Sequence, residues 1–341
     1  MNISAAASPL RRLSVLDQAP IPEGMTGGEA LRNSIDLARL ADGLGFHRYW
    51  LAEHHATPML ACASPEALIG PVAAATRRLK VGSGGIMLPH YSPLKVAETF
   101  SMLAGMFPGR IDLGLGRAPG SDQRTAYALQ RDRRQAQADD FPEQLGELMG
   151  YLHDRLPENH PFAPLARTLP GRPECPELWL LGSSPQSGVW AAELGLPYMF
   201  ADFISPLGAG IAARYQGDFL ASEELATPAM GVAVSVICAE TDEEAERLAA
   251  PIDLRRLHMA LNIDTPIPTD AEAAQQRYST EQQRYVMSQR ARAIIGSPAT
   301  CRAALENMAS RYEADEVMVL TITGAYETRR RSYELLMGAF Q

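Results

Sequence analysis

Residues 79–116 read LKVGSGGIMLPHYSPLKVAETFSMLAGMFPGRIDLGLG. A β-rich run over 79–87 leads to Ser92, a helix N-cap residue, and to Pro93, a residue suited to the first helical position. The helix that follows ends near Pro108-Gly109, and a second β-rich run covers 111–116. Strand, helix and strand in this order form a βαβ unit, which pairs its strands in parallel.

The same event recurs along the chain. Strands are expected over 12–17, 46–52, 79–87, 111–116, 178–182, 197–202, 230–238 and 316–322. Several are continuous apolar runs, such as Trp179-Leu180-Leu181 and Val317 to Leu320, as in strands buried on both faces of a parallel sheet. Between them lie helix starts: Thr26 with Glu29, Thr241 with Glu244, and Ser64-Pro65, Ser184-Pro185 and Ser297-Pro298. Leu31, Ile35, Ala38 and Ala41 form an apolar stripe on the first helix, and Gly45 and Gly195 are helix stops. Eight strands alternating with helices predict an α/β fold, a (β/α)8 TIM barrel in a single domain over 1–341, with a doubly wound open sheet as its competitor. The proline-rich stretch 154–176 and the polar, Gln- and Arg-rich stretch 262–290 do not fit the repeat. Both read as loop insertions over the active mouth, the second partly helical.

The chain has 341 residues, 46% hydrophobic and 21% charged, an ordinary globular balance that excludes disorder. Its net charge of −9 argues against a nucleic-acid footprint, which needs a basic surface. No apolar run approaches the ~20 residues of a membrane span. Residues 1–11 read as a frayed tail, with no signal peptide, on a cytoplasmic protein. Cys62, Cys175, Cys238 and Cys301 lie far apart, without a Cys-x-x-Cys pair, as suits a reducing compartment.

Barrel chemistry sits at the carboxyl ends of strands. One such end carries Glu53-His54-His55. Adjacent residues on a strand point to opposite faces, so parity groups His54 with Trp50 and Ala52, and His55 with Glu53 and Leu51. No His-Glu-x-x-His helix is present, and the reading is no metal. A structural histidine pair, or one functional histidine in the mouth, remains. Gly114-x-Gly116-x-x-x-Gly120 resembles a dinucleotide loop, but its spacing is off by one, and Pro119 disfavours the helix start. Gly114 and Gly116, like Gly84-Gly85, instead offer bare backbone to a flat ligand, or merely fill a tapered barrel interior. Arg117 is an anion anchor or a surface ion pair. Gly182-Ser183-Ser184-Pro185 heads a helix, as a phosphate cradle or a plain cap. Bare glycine face, arginine and helix-start cradle together suit flavin mononucleotide (FMN).

The segments Leu16-Asp17-Gln18-Ala19-Pro20, Trp50-Leu51-Ala52-Glu53-His54-His55, Val81 to Pro89 and Leu113 to Gly120 resemble the bacterial luciferase-like monooxygenase family, especially its single-subunit oxidoreductase branch. The similarity runs from about residue 12 to residue 340. It implies a TIM-type barrel, usually a homodimer, that binds FMN or reduced FMN. By that resemblance His54 stands beside the reacting edge of the flavin, and Gly84-Gly85 forms a non-prolyl cis peptide behind the ring. Gly116 takes the place of the reactive cysteine of true luciferases, which speaks against light emission. Arg117 and Ser184, with Gly182 and Ser183, meet the phosphate. Phe203 stands where many relatives carry a histidine, or is a packing residue.

The implied activity is flavin-dependent oxygenation of a small organic molecule with reduced FMN and O2 through a flavin C4a-peroxide. A partner NAD(P)H:flavin reductase would supply the reduced FMN. His54 would donate a hydrogen bond or a proton, since imidazole titrates near neutral pH. Two rivals are a deazaflavin-dependent dehydrogenase on the same barrel and a non-catalytic flavin-binding protein.

Overall fold

The computed structural model describes residues 10–117, 122–130 and 140–341. Residues 1–9 of the expected tail and Ala118-Pro119-Gly120 of the glycine motif lie outside the described residues. The strands are β1 (Arg12–Asp17), β2 (Arg48–Leu51), β3 (Lys80–Met87), β4 (Ile111–Gly116), β5 (Glu177–Gly182), β6 (Tyr198–Ala201), β7 (Met230–Cys238), β8 (Ala293–Gly296) and β9 (Glu316–Leu320). Eight of them close a ring in the order β1-β2-β3-β4-β5-β6-β7-β9 and back to β1. Every pairing is parallel. Each expected strand is in that ring, and its closure rules out the open sheet.

Alternation along the strands makes two cores from one set of apolar runs. Val15, Tyr49, Leu51, Val232, Val234, Val317 and Val319 join the cluster shared with the helices. Their neighbours Leu16, Trp50, Trp179, Met199, Ala233 and Met318 form a separate cluster inside the ring. The first helix, Gly27–Leu44, opens on the expected Thr26–Glu29 capping box and stops at Gly45, whose φ of 91° is left-handed. Its buried stripe includes Ala30, Leu37, Ala38 and Ala41, while Leu31 and Ile35 pack at the edge.

β8 was not expected. It pairs with Ser235–Cys238 of β7, outside the ring, while β9 holds Gly231–Ser235. Its four residues follow the polar stretch and are too short to show a period. The excursion that carries β8 includes the helices Asp270–Gln275 and Thr280–Arg290, each opened by a capping box. Buried Ile267 bridges to Pro22, just beyond β1, so residues 262–290 begin over the mouth as expected.

The other insertion lies at the opposite end. Residues 154–176 connect the helix Phe141–His153 to the start of β5. Arg172 donates to the carbonyls of Tyr151 and Leu152, at the end of that helix, and the Gly171 amide donates to Ser101 Oγ at 2.9 Å. Its place is set by position in the repeat: a connection leading into a strand lies at the barrel's N-terminal end, whatever its composition.

That end is plugged by charge. Arg48, 3% exposed, donates to Asp112 Oδ2 at 2.8 Å, to Glu177 Oε1 at 3.0 Å and to Glu316 Oε2 at 3.2 Å. Lys80 also pairs with Glu177. Two tryptophans link the plug to the apolar interior: Trp50 Nε1 donates to Asp112 at 2.8 Å and Trp179 Nε1 to Glu177 at 2.8 Å. Burial pushes the Asp112 carboxyl up to about 6. Burial acts the same way on Glu177, but Arg48 and Lys80 outweigh it and hold that carboxyl at about 2.

Candidate functional site

A cavity of about 750 Å³ opens at the carboxyl ends of the ring strands. Gly84, Gly85, Gly116, Arg117, Gly182, Ser183 and Ser184 all line it. The sequence scatters these residues over three segments, on β3 and at the ends of β4 and β5, and the barrel brings them to one wall.

The glycines there have distinct reasons. The Gly84-Gly85 peptide is cis, as the resemblance implied. A Cβ on Gly84 would stand 2.6 Å from Leu16 Cδ1, and one on Gly85 would stand 2.7 Å from Leu181 Cδ1. These contacts fix bare backbone at the cavity surface. Gly114 does not line the cavity, and a Cβ there would collide with the Ser83 carbonyl on the neighbouring strand. So of the two glycines that parity placed on one face of β4, Gly114 serves strand packing, and Gly116, one step nearer the mouth, reaches the cavity.

The polar corner is built from the ends of β4 and β5. Among the described lining residues, Arg117 is the one ionisable side chain. Its guanidinium carbon lies 5.6 Å from the ring centre of Trp190, within cation–π range. Trp190 belongs to the helix Pro185–Glu193, whose N-cap Ser184 makes no side-chain capping bond. The expected Ser-Pro start is present, but the hydroxyl is not used as a cap. Gly182 allows Ser187 to close against the turn, where Ser187 Oγ donates to the Ser184 carbonyl at 2.8 Å and bonds Tyr198 Oη at 2.9 Å. A cation beside a helix start with unused donors is suited to a phosphate.

The histidines separate as parity required. His55 Nε2 bonds Glu53 Oε1 at 2.7 Å, and Glu53 Oε2 accepts the Met87 amide at 3.0 Å. This pair anchors the end of β3. His54 is not among the cavity-lining residues, and its Nδ1 is buried without a hydrogen-bond partner. Burial, and then the neighbouring His55, push its pKa down to about 4. The expectation of an imidazole titrating near neutral pH is thereby corrected: desolvation outweighs the free-histidine value.

Sequence reasoning missed the apolar part of the lining. Leu16, Met87, Leu181, Met199, Ala233 and Met318 all face the cavity. Phe203 lines it too and packs on the inner cluster. The inward positions sit inside continuous apolar runs, where nothing in composition separates the inner face from the outer.

A family model described as luciferase-like monooxygenase matches residues 12–313. The chain belongs to the luciferase-like monooxygenase family. YwcH of Bacillus subtilis (strain 168) is 44% identical over 330 residues, covering 96% of this chain and 98% of that protein. A luciferase-like monooxygenase of Escherichia coli (strain K12) is 40% identical over 325 residues, 95% of each chain. The crystal structure of apo-MsnO8 superposes with a TM-score of 0.85 at 37% identity, covering 98% of each chain. More distant structures share the fold alone. They include the oxygenating constituent of 3,6-diketocamphane monooxygenase in complex with FMN, at 18% identity and a TM-score of 0.67. An F420-dependent secondary alcohol dehydrogenase follows at 11% identity and a TM-score of 0.65. Among the described residues, no helix is long and apolar enough to cross a membrane.

Proposed function

We propose that this protein is a flavin-dependent monooxygenase that takes reduced FMN and O2 and oxygenates a small organic substrate. The observation that carries the reading is the division of one cavity. Bare backbone at Gly84, Gly85 and Gly116 adjoins a corner holding Arg117 and the uncapped Ser184-Pro185 helix start. A flat ring system with a phosphate tail fits both parts. Arg117, Ser183 and Ser184 would hold the phosphate, and Gly182 keeps the turn tight enough to present them. Bound reduced flavin supplies the two-electron chemistry that activates O2.

The protein's own part is to bind, orient and exclude water. Trp50 commits its only polar donor to Asp112 and leaves an apolar surface at the cavity. His54, outside the cavity lining and held neutral at pH 7, is not a cationic acid in this reading. An NAD(P)H:flavin reductase is the expected source of reduced FMN. We place the protein in the cytoplasm, in keeping with its four free cysteines. A homodimer agrees with the family and with exposed Met102 and Met106, one turn apart on the helix Pro93–Met106.

Anaerobic titration with FMN, reduced FMN, riboflavin and F420 tests the reading. Reduced FMN should bind most tightly, and the loaded protein should consume O2 with a substrate panel. Tight F420 binding with no FMN binding would move the protein to the dehydrogenase class. Failure of every flavin up to millimolar concentration would remove the cofactor.

A further inference from the structure

We infer that the substrate is an uncharged, apolar molecule, seated on the side of the ring away from Arg117; this rests on the flavin reading above. In the eight-strand ring, β9 and β1 stand four places from β4 and β5, diametrically across from the arginine corner. The side chains that β9, β1, β7 and β6 turn to the cavity are Met318, Leu16, Ala233, Met199 and Ala201. None is ionisable, and none carries a hydrogen-bond donor. Phe203 and Ile204 continue this wall toward solvent.

The charges nearest this wall are turned to partners outside the cavity: Asp17 pairs with Arg329 at 2.7 Å, Asp202 accepts from Tyr312, and Arg292 donates to the Ile204 carbonyl at 3.4 Å. Arg48, Asp112 and Glu177 lie below, where they pair with one another, and Trp50 and Trp179 spend their indole donors on those carboxylates. Above, buried Met59, Leu60 and Ile267 seal the same cluster. A carboxylate or ammonium placed there would lose its water and find no partner, a cost that few ligands overcome.

The wall is also adaptable. Met199 and Met318 are unbranched thioethers that repack around differing shapes. Gly231 makes room for one of them, since a Cβ there would stand 2.5 Å from Met199 Cε. The wall thus selects against charge more strictly than against shape.

A matched pair of ligands tests this: methyl (benzylthio)acetate, which is neutral, and its free acid, (benzylthio)acetate. Calorimetry on the FMN-saturated protein at pH 7.5 should give at least about 10-fold tighter binding for the ester, the scale of an unpaired charge losing water. A second arm uses flavin-free protein carrying Arg117→Gln, which removes the one ionisable side chain among the described lining residues. The same preference is expected there. Ile204→Lys places a cation on an exposed part of the wall, where folding is not at stake. It should tighten the acid by roughly 3–10-fold and leave the ester within about 2-fold, as for a partly solvated ion pair. Equal or tighter binding of the acid by the wild-type wall overturns the inference, as does the absence of measurable ester binding in both arms. Ester preference in the flavin-free arm together with failure to bind FMN would leave the inference standing and remove the cofactor reading instead.

Discussion

At the N-terminal end of the barrel, Arg48 is buried among Asp112, Glu177 and Glu316. At the C-terminal end, Arg117 is the one ionisable side chain on the described wall of an open cavity. Both arginines belong to the same ring of strands, yet their surroundings differ in every respect that matters to a cation. Arg48 has its partners built in and answers to stability. Arg117 is exposed, stands over an aromatic face, and sits beside unused helix-start donors. A closed, buried site has little room left for a ligand, whereas an exposed side chain on the wall of an open cavity is within a ligand's reach.

The largest effect should come from the closed end. Arg48→Met takes the central cation from three crowded carboxylates and leaves Lys80 on Glu177, and removing one partner of a buried ion pair costs about 3–5 kcal/mol. Urea unfolding should show that loss, and it should shrink as pH falls. Carboxyls already pushed upward by burial, as Asp112 is, take up protons and relieve the repulsion. FMN affinity measured while the variant is still folded should change little. A large change would show that Trp50, bonded to Asp112 below and facing the cavity above, couples the two ends.

At the open end, Arg117→Ala should leave unfolding nearly unchanged and weaken FMN by about 10–100-fold, the value of a charge-assisted phosphate bond of roughly 1.5–3 kcal/mol. Riboflavin, which lacks the phosphate, should be nearly indifferent, and lysine should restore only part of the loss. Equal losses for FMN and riboflavin would assign Arg117 to the fold rather than to the phosphate.

At neutral pH the smallest effect belongs to His54. Its folded pKa, about 4, lies below the ordinary value of 6.5, so the fold favours the neutral ring. The unfolded chain takes up that proton first. The contribution is therefore complete above pH 6.5 and is lost as pH falls from 6.5 toward 4. NMR of the ring protons should place the His54 midpoint near 4, and His54→Gln should blunt acid sensitivity in that window. A midpoint near 6.5 would restore the histidine as a proton donor at neutral pH.

The sequence made the ring legible because its strands are long apolar runs and its helices begin on Ser-Pro or Thr-x-x-Glu signals. It also pointed to the polar corner, since Arg117 and Gly182-Ser183-Ser184 sit at strand ends, where barrels place function. Three things escaped it. β8 is four residues with no readable period. The side on which 154–176 lies depends on which element it follows, not on its prolines. The apolar wall was hidden because Met318 and Ala233 differ from Val317 and Val234 only in direction, and direction in a doubly buried strand leaves no mark on composition.

The attachment of the excursion has a further consequence. Cys238 and Gly296 are register partners on β7 and β8, and the Ala239 amide donates to the Gly296 carbonyl at 3.1 Å. The whole excursion thus leaves and rejoins the barrel across a single strand spacing. Closing a loop between fixed neighbouring points costs entropy that grows only with the logarithm of its length. Descendants of this chain could therefore lengthen, trim or exchange the roof of the mouth as a cassette while the ring kept its register. A scaffold joined this way can change what it admits without relearning how to fold.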